Sequence, residues 1–276
     1  MDENTRNFLL VLGVFLFLYL IRKRIFFFLK LSIKYRISHK DLSRYRYYLN
    51  HFTYYQCLSP KGKDNFIKRV IHFMYSKDFQ GAHDLLVTEQ MKILISASAI
   101  QLMFGLEDNF LSYYQTIRIY PEEFYSKHLH LHMKGGTSVG GTVLLSWKDF
   151  VEGYKNASDK YNLGLHELAH ALKLAIENEN TFESDLIKSM HILQEIAEEE
   201  FLKIQSGQAS FLRSYAGSNW QEFFAVCIEH FFEAPEEFKK NLPLIYKQLC
   251  VLLNQDPANI SKDYYFSISE SPMKSI

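Results

Sequence analysis

Residues 163–176 read LGLHELAHALKLAI. The stretch contains His166, Glu167 and His170 in an H-E-x-x-H pattern. On an α-helix, positions four apart lie one above the other on the same face. Two imidazoles at that spacing can reach one metal ion, and Zn²⁺ is the usual guest. Glu167 follows the first histidine, where a carboxylate can act as general base on an activated water. Leu163, Leu165, Leu168, Ala169, Leu172, Leu174 and Ile176 leave the helix few faces for solvent. A helix apolar nearly all round is a buried one. Polar groups placed there cost a few kcal/mol unless they are satisfied, so the histidines need a partner.

The chain has 276 residues, 47% hydrophobic and 22% charged, enough for one or two domains with a sizeable core. Its formal net charge is zero, and no basic-aromatic interleaving of a known nucleic-acid module is found. That balance argues against nucleic acid as a partner. Cys57, Cys227 and Cys250 form no C-x-x-C pair, and so sparse a count suits a reducing compartment.

Upstream, residues 8–21 form an unbroken apolar run, FLLVLGVFLFLYLI. As a helix it would be about 21 Å long, against a bilayer core of about 30 Å. Arg22, Lys23 and Arg24 follow it and can snorkel, so residues 25–29 (IFFFL) can rest at the interface. A cleaved signal peptide would carry its positive charge before the run, not after it. Lys30, Lys34 and Arg36 extend the basic flank, whereas only Arg6 precedes the run. Residues 1–35 are therefore expected to be a membrane-anchoring or transmembrane helix with its basic flank. The positive-inside rule puts the remaining domain in the cytoplasm.

Residues 36–260 then read as one domain. Helices are expected over 38–58, 64–75 and 88–104, with Gly105 as a C-cap. Asp78 to Gly81 reads as a turn. Alternation over 116–120, 128–133 and 142–147 predicts a small sheet. His128, His130 and His132 would share one strand face, as a polar edge. Residues 148–159 read as a polar loop. Further helices are expected over 186–204, 219–233 and 243–253, and residues 261–276 as a flexible tail.

Two histidines do not complete a catalytic zinc site, which takes three protein ligands and a water. No third histidine follows at the short metzincin spacing. Glu222 and Glu229, on the segment SNWQEFFAVCIEHFFE, are both candidates. Asn219 with Glu222 also fits a capping box, which would give Glu222 a purely local role. His230 is a further candidate, expected at the helix surface.

Several separated stretches carry a resemblance. They are His166-Glu167-Leu168-Ala169-His170, Tyr215-Ala216, the run 219–226 (NWQEFFAV), and Glu229 with 231–235 (FFEAP). Upstream are 120–124 (YPEEF), 144–147 (LLSW) and the helical residues 95–99; Gln255-Asp256-Pro257 lies near the end. Together these resemble the Mlc titration factor-type zinc metallopeptidases over most of residues 36–259. That family is similar in its core to the lethal-factor-type gluzincins.

The resemblance implies an α+β, predominantly helical, zincin-like peptidase domain with a small sheet beside the active-site helix. It implies one Zn²⁺ held by His166, His170 and Glu222, with Glu167 as general base. Tyr215 would hydrogen-bond the substrate carbonyl or the oxyanion. The implied activity is hydrolysis of a peptide or protein substrate, aminopeptidase-like on small peptides. The family name also implies a regulatory binding module that captures a transcription factor or another cytoplasmic protein. One departure stands out: an aspartate common shortly after the second histidine is missing, and Ala171-Leu172-Lys173 follow His170. An orienting bond to a ligand would then come from elsewhere.

Overall fold

The computed structural model describes residues 39–266, apart from 107–109, 128, 139, 157 and 179–183. The chain divides into two units, Met1–Asp41 and Leu42–Ile276; core and site lie in the second. The expected anchor over residues 1–35 lies outside the described residues. Among the described residues, no helix is long and apolar enough to cross a membrane.

The elements run α1 (His39–Leu49), α2 (Thr53–Gln56), α3 (Pro60–Ser76), β1 (Asp78–Gly81), α4 (Glu89–Met103), β2 (Thr116–Tyr120), β3 (Phe124–Ser126) and β4 (Leu131–Met133). Then come β5 (Gly135–Ser138), β6 (Thr142–Ser146), α5 (Trp147–Lys155), α6 (Leu163–Asn178) and α7 (Ser184–Gln205). A 3₁₀ turn (Ser214–Gly217) precedes α8 (Trp220–Glu233), α9 (Pro235–Asn241), α10 (Pro243–Leu253) and a second 3₁₀ turn (Ile260–Lys262). The described fold is thus mostly helical, with two small sheets.

The main sheet has the order β1-β2-β6-β5. β1, β2 and β6 are parallel, and β5 returns antiparallel to β6. Ile117, Ile119, Val143 and Leu145 turn one face of β2 and β6 inward. The central helix α6 packs on that sheet through β5 and β6, and on α4, α5 and α8. Most of its apolar side chains are buried, as the composition of the stretch predicts: Leu165, Leu168, Ala169, Ala171, Leu172 and Ile176 are at most 1% exposed. Each fully buried leucine or isoleucine contributes about 1.5–3 kcal/mol. The helix starts where it does because Asn162 caps it. The Leu165 N–H donates to Asn162 Oδ1 at 3.0 Å, and the His166 N–H donates to Asn162 O at 2.9 Å.

Several expectations give way. Asp78–Gly81 is not a turn but the edge strand β1; four residues are too short to show alternation, and pairing with β2 supplies the backbone partners. The expected loop 148–159 holds α5, whose Trp147, Phe150, Val151 and Tyr154 recur at helical spacing among polar residues. Ser146 caps it by accepting from the Asp149 N–H. Gly105 is not a left-handed cap. The helix ends at Phe104 in ordinary right-handed geometry, and a Cβ on Gly105 would meet the backbone at Asn254. The anticipated histidine strand contains only Leu131–Met133. His130 lies in the preceding turn with φ +54°, so it does not share a strand face with the exposed His132; His128 is outside the described residues. In the expected tail, Tyr264 and Phe266 are buried, and Tyr264 stacks on Tyr54 with centroids 4.0 Å apart.

Candidate metal centre

His166 and His170 stand one turn apart on α6, with rings edge-on at 4.7 Å. Their Nε2 atoms converge to 3.1 Å. Opposite them, Glu222 projects from the first turn of α8. Its Oε2 lies 3.0 Å from His166 Nε2, and its Oε1 lies 3.5 Å from His170 Nε2. A metal with bonds near 2.0–2.1 Å in tetrahedral array holds its ligand atoms about 3.3 Å apart. The observed triangle fits that spacing, and the donor set of two imidazoles and a carboxylate suits zinc.

The capping box is half formed. Asn219 Oδ1 accepts from the N–H groups of Gln221 and Glu222 at 2.9 and 3.0 Å. The Glu222 carboxylate does not return to the cap; it faces the histidines. Burial raises its pKa, but hydrogen bonds from His166 and His170 outweigh burial and hold it well below the usual carboxylate range.

Glu229 follows seven residues later, almost two turns along α8, and so occupies the same face. It does not join the triangle. It sits behind His166, whose Nδ1–H donates to Glu229 Oε1 at 2.6 Å. Glu229 is 1% exposed. Burial alone would raise its pKa; His166 and Arg213 outweigh this and lower it. His166 shows the converse. Burial lowers its pKa, but Glu222 and Glu229 outweigh it and raise it to about 9.

Glu167 is buried beside this cluster, and burial with the nearby Glu222 and Glu229 charges pushes its pKa up to about 7 against the pull of His166. Its Oε2 has no hydrogen-bond partner among the described residues. Thr137 Oγ1 on β5 donates to the Glu167 carbonyl at 3.1 Å, tying the sheet edge to the helix. Tyr215, on the 3₁₀ turn, is half exposed, and its ring lies 6.1 Å from that of His166. Partial burial and the Glu222 carboxylate raise its pKa. His166, Glu167 and Tyr215 line an open cleft of about 560 Å³, together with Met133, Gly135, Tyr161 and Arg213.

His230 is not at the surface. It is 2% exposed and its Nδ1–H donates to the Val226 carbonyl at 2.9 Å, a helix-internal bond that occupies it locally. Burial lowers its pKa to about 4. His170 Nδ1 is buried without a protein partner among the described residues, so nothing described replaces the aspartate absent after it. The residues that motif spacing did not single out are Arg213, Asn162 and Gly135. The seven-residue step from Glu222 to Glu229 was the available signal for the carboxylate behind His166. Gly135 carried none.

The model of the glucose-regulated metallo-peptidase M90 family matches residues 34–252. An uncharacterized protein of Synechocystis sp. is 24% identical over 213 residues, covering 71% of this chain and 78% of that protein. Mlc titration factor A of Yersinia enterocolitica is 30% identical over 129 residues, 42% of this chain and 46% of that protein. The chain spans about half the length of the Mlc titration factors it matches. A crystal structure from Bacteroides caccae, assigned as a zinc-binding metallo-peptidase, covers 71% of this chain and 85% of its own at 18% identity and TM-score 0.33.

Proposed function

The chain belongs to the glucose-regulated metallo-peptidase M90 family, and from that premise and the geometry of the centre we propose a zinc-dependent peptidase of gluzincin type. The observation that carries this reading is the convergence of two imidazole nitrogens and the Glu222 carboxylate at 3.0–3.5 Å, with the unpartnered Glu167 Oε2 beside them. A structural metal site needs no adjacent base.

His166, His170 and Glu222 would hold one Zn²⁺. When bound there, zinc lowers the pKa of a coordinated water toward about 7 and polarises the scissile carbonyl. Glu167, with its pKa raised toward neutrality by burial, takes the water's proton and passes it to the leaving amine. Tyr215 keeps its phenol proton at neutral pH and donates it in a hydrogen bond to the developing oxyanion. β5 is an edge of the main sheet and adjoins α6, so an extended peptide can lie along it beside Glu167. Aminopeptidase-like action on small peptides is the finer reading, checked by comparing peptides with free and acetylated N-termini. The apolar run 8–21 with its basic flank supports a membrane-anchored domain facing the cytoplasm.

The similarity to Mlc titration factors supports a second reading, a module that binds a regulatory protein. The two readings are compatible. Zinc content and peptide hydrolysis, measured on the full chain and on Glu167→Gln, test the first. Zinc in both, with hydrolysis in the wild type alone, is expected. No zinc, or equal hydrolysis in the two, sinks it.

A further inference from the structure

Glu229 joins the two ligand helices to the residues that flank the centre. It belongs to α8, the helix that carries Glu222. Its Oε1 accepts from His166 Nδ1 on α6. Its Oε2 accepts from the Asn162 N–H at 2.7 Å, at the cap of the same helix. Its Oε1 also accepts from the Arg213 guanidinium. Arg213 stands two residues before Tyr215, and its Nη1 donates to the Lys160 carbonyl at 2.7 Å. Its guanidinium lies 4.5 Å over the Tyr161 ring, so the side chain is held on three sides. A planar guanidinium so clamped carries little freedom of its own.

We infer that Glu229 and Arg213 form a positioning pair: Glu229 fixes the His166 ring toward the metal, and Arg213 fixes the turn that presents Tyr215. The inference rests on the proposed peptidase reading. A ligand histidine must present Nε2 in one direction, and the bond at Nδ1 sets both its tautomer and its ring plane. The carboxylate that orients it is itself held by the Asn162 N–H and the Arg213 guanidinium together. The same guanidinium therefore links the metal ligand to the oxyanion donor. Neither Glu229 nor Arg213 is assigned contact with the reacting atoms.

The test uses the full chain, with zinc affinity read by competition against a chelator and hydrolysis read separately. Glu229→Gln is expected to bind zinc about 10–100-fold more weakly. Arg213→Met, which leaves the Glu229–His166 bond in place, is expected to lower kcat more than it raises KM. Combined with Tyr215→Phe, it should add less than about threefold to the loss caused by Tyr215→Phe alone. A folded Glu229→Gln that binds zinc within about threefold of wild type overturns the first half. Losses of Arg213→Met and Tyr215→Phe that multiply overturn the second. If Glu229→Gln does not fold, the Arg213–Tyr215 cycle decides. A wild type that neither binds zinc nor hydrolyses peptides overturns the peptidase reading and, with it, this inference. A wild type that does both, beside variants that behave like it, overturns the inference alone.

Discussion

Gly135 on β5 and Glu167 on α6 approach so closely that a Cβ built on the glycine would lie 2.6 Å from the Glu167 carboxyl carbon. The sheet edge and the acid in the base's position are thus packed against each other with no room for a methyl group. Gly135→Ala must push the carboxyl aside or part the strand from the helix. A displacement of about 1 Å in a catalytic group can cost about 100-fold in rate. The expected outcome is a kcat reduced about 10–100-fold with zinc stoichiometry unchanged, because the three atoms nearest the new methyl all belong to Glu167. Steady-state kinetics and metal analysis of the purified variant check it. A kcat within about twofold of wild type would show that the carboxyl relaxes freely.

Without zinc, the centre also makes stability fall with pH, and zinc at the proposed site would oppose that fall. His166 has a folded pKa raised to about 9, so its contribution is fully present below its unfolded value near 6.5 and is lost as pH rises through 9. Glu167 has a folded pKa raised to about 7, so the folded chain binds more protons than the unfolded one between about 4.5 and 7, and stability falls across that window too. Zinc requires an unprotonated His166 nitrogen, so its affinity grows as that proton is lost. Chelator-treated protein should melt at progressively lower temperature from pH 5 to pH 9. Added zinc should raise the melting temperature most at the upper end. At 100 times Kd the gain is about 2.7 kcal/mol. A zinc increment that shrinks with pH would contradict the assignment of His166 as a ligand.

The chain beyond Asp256 closes the core. Tyr264 stacks on Tyr54, and its hydroxyl donates to the Tyr54 carbonyl at 3.0 Å. Ser59 Oγ, the cap of α3, donates to Asp263 Oδ2 at 2.6 Å. Tyr264→Ala removes a buried ring and should cost about 3–5 kcal/mol, as other buried aromatic truncations do. Urea midpoints measure this. A loss below about 1 kcal/mol would mean that the segment is the loose tail its composition suggested.

That segment shows where the sequence was legible and where it was not. The H-E-x-x-H helix was readable because its apolar residues cover every face and its spacing is local. Helices α3, α4, α7, α8 and α10 were readable from periodicity for the same reason. The tail misled because its Ser and Lys content described its composition, while Tyr264 binds Tyr54, some two hundred residues upstream, and Phe266 is buried. β1 and α5 were missed because a four-residue edge strand shows no alternation and a mostly polar helix hides its stripe. In the site, the residues alone left Glu222 and Glu229 open as alternatives, since both face the same side of α8. The fold separates them by reach: one meets Nε2 and the other Nδ1 of the same imidazole. The close approach of Gly135 comes from β5 crossing beside α6, which no local pattern encodes.

Glu233 tests how much unfavourable charge the fold carries next to this centre. Its Oε1 accepts from Asn162 Nδ2 at 3.0 Å, while its Oε2 is buried without a hydrogen-bond partner among the described residues. Burial pushes its pKa up to about 7, with Asp159 and Glu229 adding to the rise and Asn162 opposing it. The folded chain therefore holds a proton there that the unfolded chain releases near 4.5, and stability declines from about pH 4.5 to 7. Above pH 7 the ionised carboxylate is a net cost. Glu233→Gln keeps the shape and the acceptor toward Asn162 but cannot ionise. It should leave stability at pH 5 close to wild type and raise it at pH 8 by on the order of 1–3 kcal/mol. Paired urea titrations at the two pH values measure the difference. Equal stabilities at pH 8 would mean that water or a cation already satisfies the free oxygen, whereas a destabilised variant would mean that the negative charge itself supports the Asn162 cap of α6.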